Sequence, residues 1–197
     1  MGDLDTRGSG YTERLDTLEG ARWKRWLDVQ APYRWNLRRL ELGFTLDIGC
    51  GIGRNLLHLG HGVGIDHNAD SVALARRRGC TAFDAVGFRA SEFAEPGRFD
   101  SLLLAHVVEH MSETEAAALV AEHLPFVRSG GRVVLIAPQE AGFRSDPTHA
   151  EFMDGARLRA ILDANGVTFE RGYSFPFPRF VGRVFPHNES VAIGRLA

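Results

Sequence analysis

The amino-acid sequence predicts an α/β fold, namely a doubly wound, mainly parallel seven-stranded sheet with helices on both faces. Short apolar segments alternate with amphipathic ones through most of the 197 residues. The run Leu102-Leu103-Leu104 is continuously apolar, as expected of a strand covered on both faces. A glycine-rich turn directly follows the first apolar segment after residue 43. Such sheets bind ligands at the carboxyl ends of their strands.

Each predicted strand is a short apolar run bordered by glycine or by polar turn residues. The predicted strands cover residues 44–48, 62–65, 81–83, 99–105, 132–137, 167–173 and 190–194.

The predicted helices lie between these strands and have recognisable ends. They cover residues 12–28, 33–42, 54–59, 69–78, an alanine-rich segment after Ser112, and 154–164. Ser112 is a good N-cap, with Glu115 at the capping-box position. Residues 138–150 are predicted to be a loop.

The first two helices form an N-terminal helical segment, residues 1–43, that belongs to the same domain as residues 44–197. This segment contains all three tryptophans of the chain. We expect it to cover one end of the core or to act as a lid over the site.

Composition excludes several classes of protein. With 44% hydrophobic and 24% charged residues, the chain is typical of a globular protein. The net charge of −2 and the lack of a basic stripe argue against a nucleic-acid partner. No apolar run approaches the ~18 residues that span a bilayer. Two cysteines and a polar, acidic N-terminus favour the reducing cytoplasm.

The most informative segment is Leu46-Asp47-Ile48-Gly49-Cys50-Gly51-Ile52-Gly53-Arg54-Asn55. Its glycines permit positive φ and let a ligand lie against bare backbone. A dinucleotide fingerprint would need a third glycine at position 54 or 56, according to the register. Those positions hold Arg54 and Leu56, so binding of NAD is not predicted.

The Gly-x-Gly-x-Gly spacing behind Asp47 resembles motif I of class I S-adenosylmethionine-dependent methyltransferases, which have a Rossmann-like fold. In that family the acidic residue helps to fix the loop and the amino group of the methionine moiety. Asp66 ends the second strand, where the resemblance implies an acid that accepts the ribose hydroxyls. Asp84 ends the third strand, where the family often has an acid facing the adenine amino group.

Residues 99–110, Phe-Asp-Ser-Leu-Leu-Leu-Ala-His-Val-Val-Glu-His, resemble motif IV of the type 11 subgroup, and residues 124–135 resemble the strand entry that follows it. The resemblance covers about residues 44–170. It implies that S-adenosylmethionine is the cofactor. The implied cofactor-binding residues are Asp47, Gly49, Cys50, Gly51, Gly53, Asn55, Asp66, His67, Asp84 and His106.

The segment from His106 to His110 also matches H-x-x-E-H, an inverted zinc-protease signature. That chemistry requires both histidines on one helical face and a third ligand. Here they follow an apolar strand directly and precede the N-cap Ser112. We therefore expect no metal site, and we expect Glu109 and His110 to hold the following turn.

The methyl acceptor is predicted from the segment after the fifth strand. Asp146-Pro147-Thr148-His149 is similar to an Asp-Pro-x-His element of type 11 relatives, which favours a hydroxyl on a small molecule such as a sugar, lipid or secondary metabolite. His149 is the candidate base, or else anchors the loop. The aromatic segment 173–180 is interpreted as a wall of an apolar pocket or as packing at the sheet edge. A non-catalytic S-adenosylmethionine-binding regulator is the alternative function.

Overall fold

The computed structural model describes residues 31–197, and its strands form one seven-stranded sheet. The strands are β1 (Thr45–Ile48), β2 (Gly62–Ile65), β3 (Thr81–Phe83), β4 (Phe99–Ala105), β5 (Val127–Pro138), β6 (Thr168–Phe175) and β7 (Glu189–Arg195). Their order is β3-β2-β1-β4-β5-β7-β6. The first five are parallel, whereas β7 runs antiparallel to both β5 and β6. The predicted fold class is confirmed, and the sheet is mixed rather than purely parallel.

Seven helices of the described residues connect these strands. They are α1 (Ala31–Arg39), α2 (Arg54–Leu59), α3 (Ala69–Arg77), α4 (Ala85–Arg89), α5 (Glu113–His123), α6 (Glu140–Ser145) and α7 (Gly155–Ala164). Short 3₁₀ turns cover Val108–His110, Leu124–Phe126 and Arg179–Arg183.

The central strands bury both of their faces. Leu102 and Leu104 of β4 pack in one core with residues of α5 and α7, while Leu103 packs in the opposite core with residues of α1. Successive side chains of a strand point to opposite faces, so a continuously apolar run supplies both cores. This placement confirms the interpretation of Leu102-Leu103-Leu104.

Helix ends follow the predicted capping chemistry. The Ser112 side chain accepts a hydrogen bond from the Glu115 amide, and Glu115 bonds back to the Ser112 amide at 2.8 Å. Asp154 caps α7 through the amides of Ala156 and Arg157, each at 3.0 Å. Each cap satisfies amides that have no partner within their helix.

Two short helices, α4 and α6, are missing from the sequence-based prediction. The loop predicted for residues 138–150 contains α6, which has six residues, and α4 has five. Neither is long enough to display a helical hydrophobic period. Strand β5 also begins at residue 127 rather than 132, because Val127 pairs with Phe99 before a register shift.

The N-terminal helical segment is described only from residue 31, so the predicted helix 12–28 lies outside the described residues. Helix α1 packs through Leu37 against the face of the sheet that contains Leu103. The Tyr173 hydroxyl donates to Asn36 Oδ1 at 2.8 Å, and Arg132 donates to the Leu40 carbonyl at 2.6 Å. The described part of this segment therefore covers one face of the core.

Among residues 31–197, no helix has the length and apolar character needed to cross a bilayer. Cys50 and Cys80 are both free thiols.

Candidate active site

A cavity of about 350 Å³ opens where the strand order reverses. Strands β1 and β4 are neighbours in the sheet, although β2 and β3 separate them in sequence. Loops leave the carboxyl ends of two such strands in opposite directions, which creates a crevice between them. The cavity is lined by Gly49 and Gly51 after β1, and by Ala105 and His106 at the end of β4.

Gly51 presents bare backbone to this cavity. Its φ is 52°, in the left-handed region that favours glycine, and its amide donates to Asp66 Oδ2 at 2.7 Å. The Gly49 and Cys50 amides both donate to the Ile65 carbonyl, at 2.8 and 3.1 Å. The glycine turn is thereby attached to the end of β2.

The outer two glycines of the motif are required by packing. A Cβ atom on Gly49 would lie 2.4 Å from Val107 Cγ2. A Cβ atom on Gly53 would lie 2.6 Å from Cys80 Sγ, and Gly53 is not among the residues that line the cavity. Gly53 thus allows α2 to approach the loop before β3, and the structure gives it no contact with the cavity.

Asp47 is a fully buried carboxyl group beneath the glycine turn. Asn55 Nδ2 lies 3.5 Å from Oδ1, while Oδ2 has no hydrogen-bond partner among the described residues. Burial raises the pKa of Asp47 to about 7, the bond from Asn55 opposes this shift, and the negative charge of Asp66 adds to it. Asp47 is not among the cavity-lining residues, whereas its neighbour Asn55 is, and an unsatisfied buried carboxylate oxygen in this position fits a bound cation.

Asp66 uses both carboxylate oxygens to bind backbone. Oδ2 accepts from the Gly51 amide, and Oδ1 accepts from the Asn68 amide at 2.8 Å. The exposed His67 imidazole has Nδ1 3.7 Å from Asp66 Oδ1. Asp66 therefore joins the glycine turn to the start of α3.

Asp66 and His67 follow β2, and Asp84 follows β3. These three predicted cofactor-binding residues are not among those that line the cavity. Asp84 is the N-cap of α4, and its Oδ1 accepts from the Gly87 amide at 2.6 Å. Cys50 and Asn55 do line the cavity. Burial first of all, and then the charges of Asp47 and Asp66, raise the pKa of the Cys50 thiol far above its ordinary value, so that it is neutral.

His106 adds a positive charge to the cavity. It is one of two non-glycine residues with positive φ among those described, at 60°. Its Nε2 hydrogen-bonds Glu189 Oε1 at 2.8 Å, and its Nδ1 lies 3.3 Å from Glu109 Oε1. The His106 side chain is 49% exposed, and loss of water around the rest of it would lower its pKa, but the hydrogen bonds and charges of Glu109 and Glu189 outweigh this and raise the pKa to about 10.

The segment that follows β5 and α6 brings His149 to the same cavity as the glycine turn. Its Nδ1 lies 2.8 Å from the Phe143 carbonyl, and its ring stacks on that of Phe143 at 5.4 Å. Glu109 and His110 reach the same place from the turn after β4, and their ligating atoms and that of His149 all lie within 4.8 Å of one another. Asp146 also lines the cavity and accepts from the Thr148 amide at 3.0 Å.

Other parts of the cavity were missed by sequence reasoning. Tyr33, Asn36 and Leu37 of α1 form one wall, and His187 and Glu189 form another. Nothing in their local sequence marks them, since they reach the cavity only through packing of α1 and pairing of β7.

Of the two interpretations of the aromatic segment 173–180, a pocket wall or packing at the sheet edge, the structure favours packing. Phe175 is buried in the core beside α1, while Phe177 and Phe180 are 48% and 70% exposed and are not among the cavity-lining residues.

A mainly parallel sheet with a glycine turn at its switch point, and with acids directly after β2 and β3, is typical of nucleotide-cofactor-binding α/β enzymes. Residues 46–135 match the model of a family described as "Methyltransferase domain", of the type 11 group. The matched segment is therefore a class I S-adenosylmethionine-dependent methyltransferase domain, and the protein is an enzyme whose methyl donor is S-adenosylmethionine.

Solved structures of methyltransferases share the fold at low sequence identity. A methyltransferase from Archaeoglobus fulgidus has a TM-score of 0.62 and 19% identity, covering 83% of this chain and 92% of that one. Magnesium protoporphyrin IX methyltransferase from Synechocystis, with bound S-adenosylhomocysteine, has a TM-score of 0.66 and 17% identity, covering 98% and 96%.

A chain from a Haloferax volcanii complex between the Trm112 methyltransferase activator and a methyltransferase has a TM-score of 0.68 and 16% identity. It covers 98% of this chain and 97% of that one. No curated protein sequence matches the chain significantly.

Proposed function

We propose that this enzyme transfers the methyl group of S-adenosylmethionine to a hydroxyl oxygen of a small molecule, such as a sugar, lipid or secondary metabolite. The observation that supports this proposal is the His149 imidazole, which lines the same cavity as the glycine turn. The Phe143 carbonyl accepts from Nδ1–H, which leaves Nε2 as the basic nitrogen. The two free cysteines suit action in a reducing cytoplasm.

The donor would be held on the glycine-turn side. Gly49 and Gly51 offer backbone to it, and the unpartnered Asp47 Oδ2 suits its amino group. Asp66 would accept from the ribose hydroxyls with lone pairs that remain after its two backbone contacts, and His67 and Asp84 would lie along the adenine side. The sulfonium of the donor makes its methyl group electrophilic.

The acceptor would enter on the His149 side of the cavity, and Ala105, Leu37 and Ile136 supply apolar surface to the cavity lining. His149 takes the hydroxyl proton on Nε2 while the oxygen attacks the methyl carbon. The carbon–sulfur bond breaks, its electron pair stays on sulfur, and S-adenosylhomocysteine leaves. Positioning of the two substrates supplies most of the acceleration, because the donor is already activated.

The test is incubation of the full chain with methyl-labelled donor and separate panels of alcohols, phenols, amines and carboxylic acids. We expect a methyl ether as the product, identified by mass spectrometry. His149→Ala should lower turnover about 10²–10⁴-fold, the usual contribution of a positioned base, with donor affinity unchanged.

His61→Ala is the matched control, because His61 is exposed and lies outside this cavity, and it should leave turnover unchanged. Label appearing only on nitrogen would overturn the proposal.

A further inference from the structure

We propose that Glu109, His110 and His149 form a binding site for one divalent transition-metal ion of the zinc type in the acceptor half of the cavity. This proposal rests on the proposed function, which places the hydroxyl acceptor in that half of the cavity. One ligating atom from each residue lies within 4.8 Å of the other two. Around a tetrahedral ion with bonds of about 2.0–2.1 Å, ligand atoms lie about 3.3 Å apart, so adjustments of about 1 Å close the site.

The Glu109 carboxylate is the main reason to infer an ion. It is fully buried, and neither oxygen has a hydrogen-bond partner among the described residues. His106 Nδ1 lies 3.3 Å from Oε1, outside hydrogen-bonding geometry, and His106 Nε2 is hydrogen-bonded to Glu189, so a single imidazole faces two carboxylates. A buried carboxylate without donors is costly unless a cation balances it.

Both histidines are oriented as ligands. His149 Nδ1 contacts the Phe143 carbonyl at 2.8 Å, and His110 Nδ1 contacts the Thr148 carbonyl at 3.2 Å. A carbonyl can only accept, and the Thr148 hydroxyl, 3.3 Å from His110 Nδ1, already donates to Asp146 Oδ1 at 2.8 Å. Each Nδ1 is therefore assigned the proton, which leaves a lone pair on each Nε2. Donation of the second ring N–H to a carbonyl is the usual arrangement of metal-bound histidine.

The backbone fixes the three residues relative to one another. The Ala150 and Glu151 amides both donate to the Glu109 carbonyl, at 2.8 and 3.2 Å. The rings of His110 and His149 are in edge contact at 5.0 Å. The turn after β4 and the loop after β5 are therefore joined beside the cluster, although about 40 residues separate them.

The set of two imidazoles and one carboxylate favours zinc-type ions over magnesium, and it leaves positions open for a substrate oxygen. Such an ion polarises the acceptor hydroxyl and lowers its pKa. His149 Nε2 cannot be a base and a ligand at once, so the ion would replace His149 in activating the hydroxyl. The proposal departs from the sequence-based expectation of no metal, which considered His106 with His110 and did not include His149.

The test is calorimetric titration of the EDTA-treated and dialysed full chain with Zn²⁺ alone, without donor or acceptor. We expect one ion per chain and much weaker binding of Mg²⁺. His149→Ala and Glu109→Gln should each weaken Zn²⁺ binding at least about 10-fold, a loss that even outer contacts of metal sites produce. His187→Ala is the control, because His187 lines the same cavity outside the cluster, and it should leave Zn²⁺ affinity unchanged.

Circular dichroism of each variant establishes that it is folded, and His110→Ala provides a second ligand variant if Glu109→Gln does not fold. Zn²⁺ binding that is absent, or unchanged in folded His149→Ala and His110→Ala, would overturn the metal site. Hydroxyl methylation that survives EDTA at the full rate would overturn the role of the ion and leave the proposed function standing. Binding of one Zn²⁺ per chain that is lost in the side-chain variants, without any hydroxyl methylation by the wild type, would support the metal site and overturn the proposed function.

Discussion

The two halves of the cavity are built differently. On the donor half, Asp66 accepts from the Gly51 and Asn68 amides, so its partners lie within 15 residues along the chain. On the acceptor half, Glu109 and His149 come together across 40 residues, and the Glu109 carboxylate lacks hydrogen-bond donors. The half that we assign to the donor is a local backbone structure, whereas the half that we assign to the acceptor is an assembly of side chains from distant segments.

The largest effect should come from Gly51→Val, because the donor half presents backbone to its ligand. A valine at φ 52° is strained, and its side chain would project at the cavity lining. We expect donor affinity, measured by calorimetry, to fall by at least about 100-fold. Gly60→Val is the control, since Gly60 also has positive φ, at 83°, but is outside this cavity. Gly60→Val should lower the free energy of unfolding by about 1–2 kcal/mol and leave donor affinity unchanged. Equal losses of donor affinity in the two variants would contradict the placement of Gly51 against the donor.

Asp66→Ala should weaken donor binding by roughly 1.5–3 kcal/mol, the scale of hydrogen bonds to a charged group. The melting temperature should fall as well, because the Gly51 and Asn68 amides lose their acceptor. Asp70→Ala is the control, because it removes an exposed carboxylate of α3. It should leave donor affinity unchanged and change stability only slightly. A fall in stability without loss of affinity would show that Asp66 serves the loop alone.

Asp47 should make donor binding depend on pH. Its pKa of about 7 means that the free protein is half protonated near neutrality, while a donor ammonium group requires the ionised form. Affinity should therefore decline as pH falls from 8 to 6, by up to about tenfold per pH unit. Asp47→Asn should bind more weakly at pH 8 and lose this part of the pH dependence.

The same group gives a stability test with the opposite sign. Since burial raises the Asp47 pKa above its unfolded value, its contribution to stability is present at low pH and is lost as pH rises through about 7. Without donor, the free energy of unfolding at pH 8 should be higher for Asp47→Asn than for the wild type. Identical pH profiles for the two proteins would show that Asp47 does not titrate in this range.

The smallest effect should come from His67→Ala. The His67 side chain is 55% exposed, so it can add only one face to an adenine ring. Donor affinity should fall about two- to fivefold, in line with about 0.5–1 kcal/mol for an aromatic contact. His61→Ala is the control, because His61 is also exposed, and it should leave donor affinity unchanged. An unchanged donor affinity in His67→Ala would show that the adenine ring does not contact His67.

Much of the donor half could be predicted from the sequence because it is encoded locally. The glycines that follow β1, and the acid that ends β2, occupy positions that a strand and a tight turn dictate over a few residues. The same holds for the Ser112–Glu115 capping box and for the continuously apolar strand β4. The capping role of Asp84 was not predicted, since the short helix α4 has no hydrophobic period to reveal it, and the predicted place of Asp84 beside the adenine stays a prediction.

By itself the sequence determined the class of fold, the cofactor and the glycine turn after β1, because these depend on residue type and spacing within short segments. Only the tertiary structure decided what shares the cavity with that turn. The antiparallel pairing of β7 with β5 brings Glu189 to His106, and the contacts of Ala150 with the Glu109 carbonyl bring His149 to Glu109 and His110. Such meetings depend on the packing of distant segments, and no local pattern of residues encodes them.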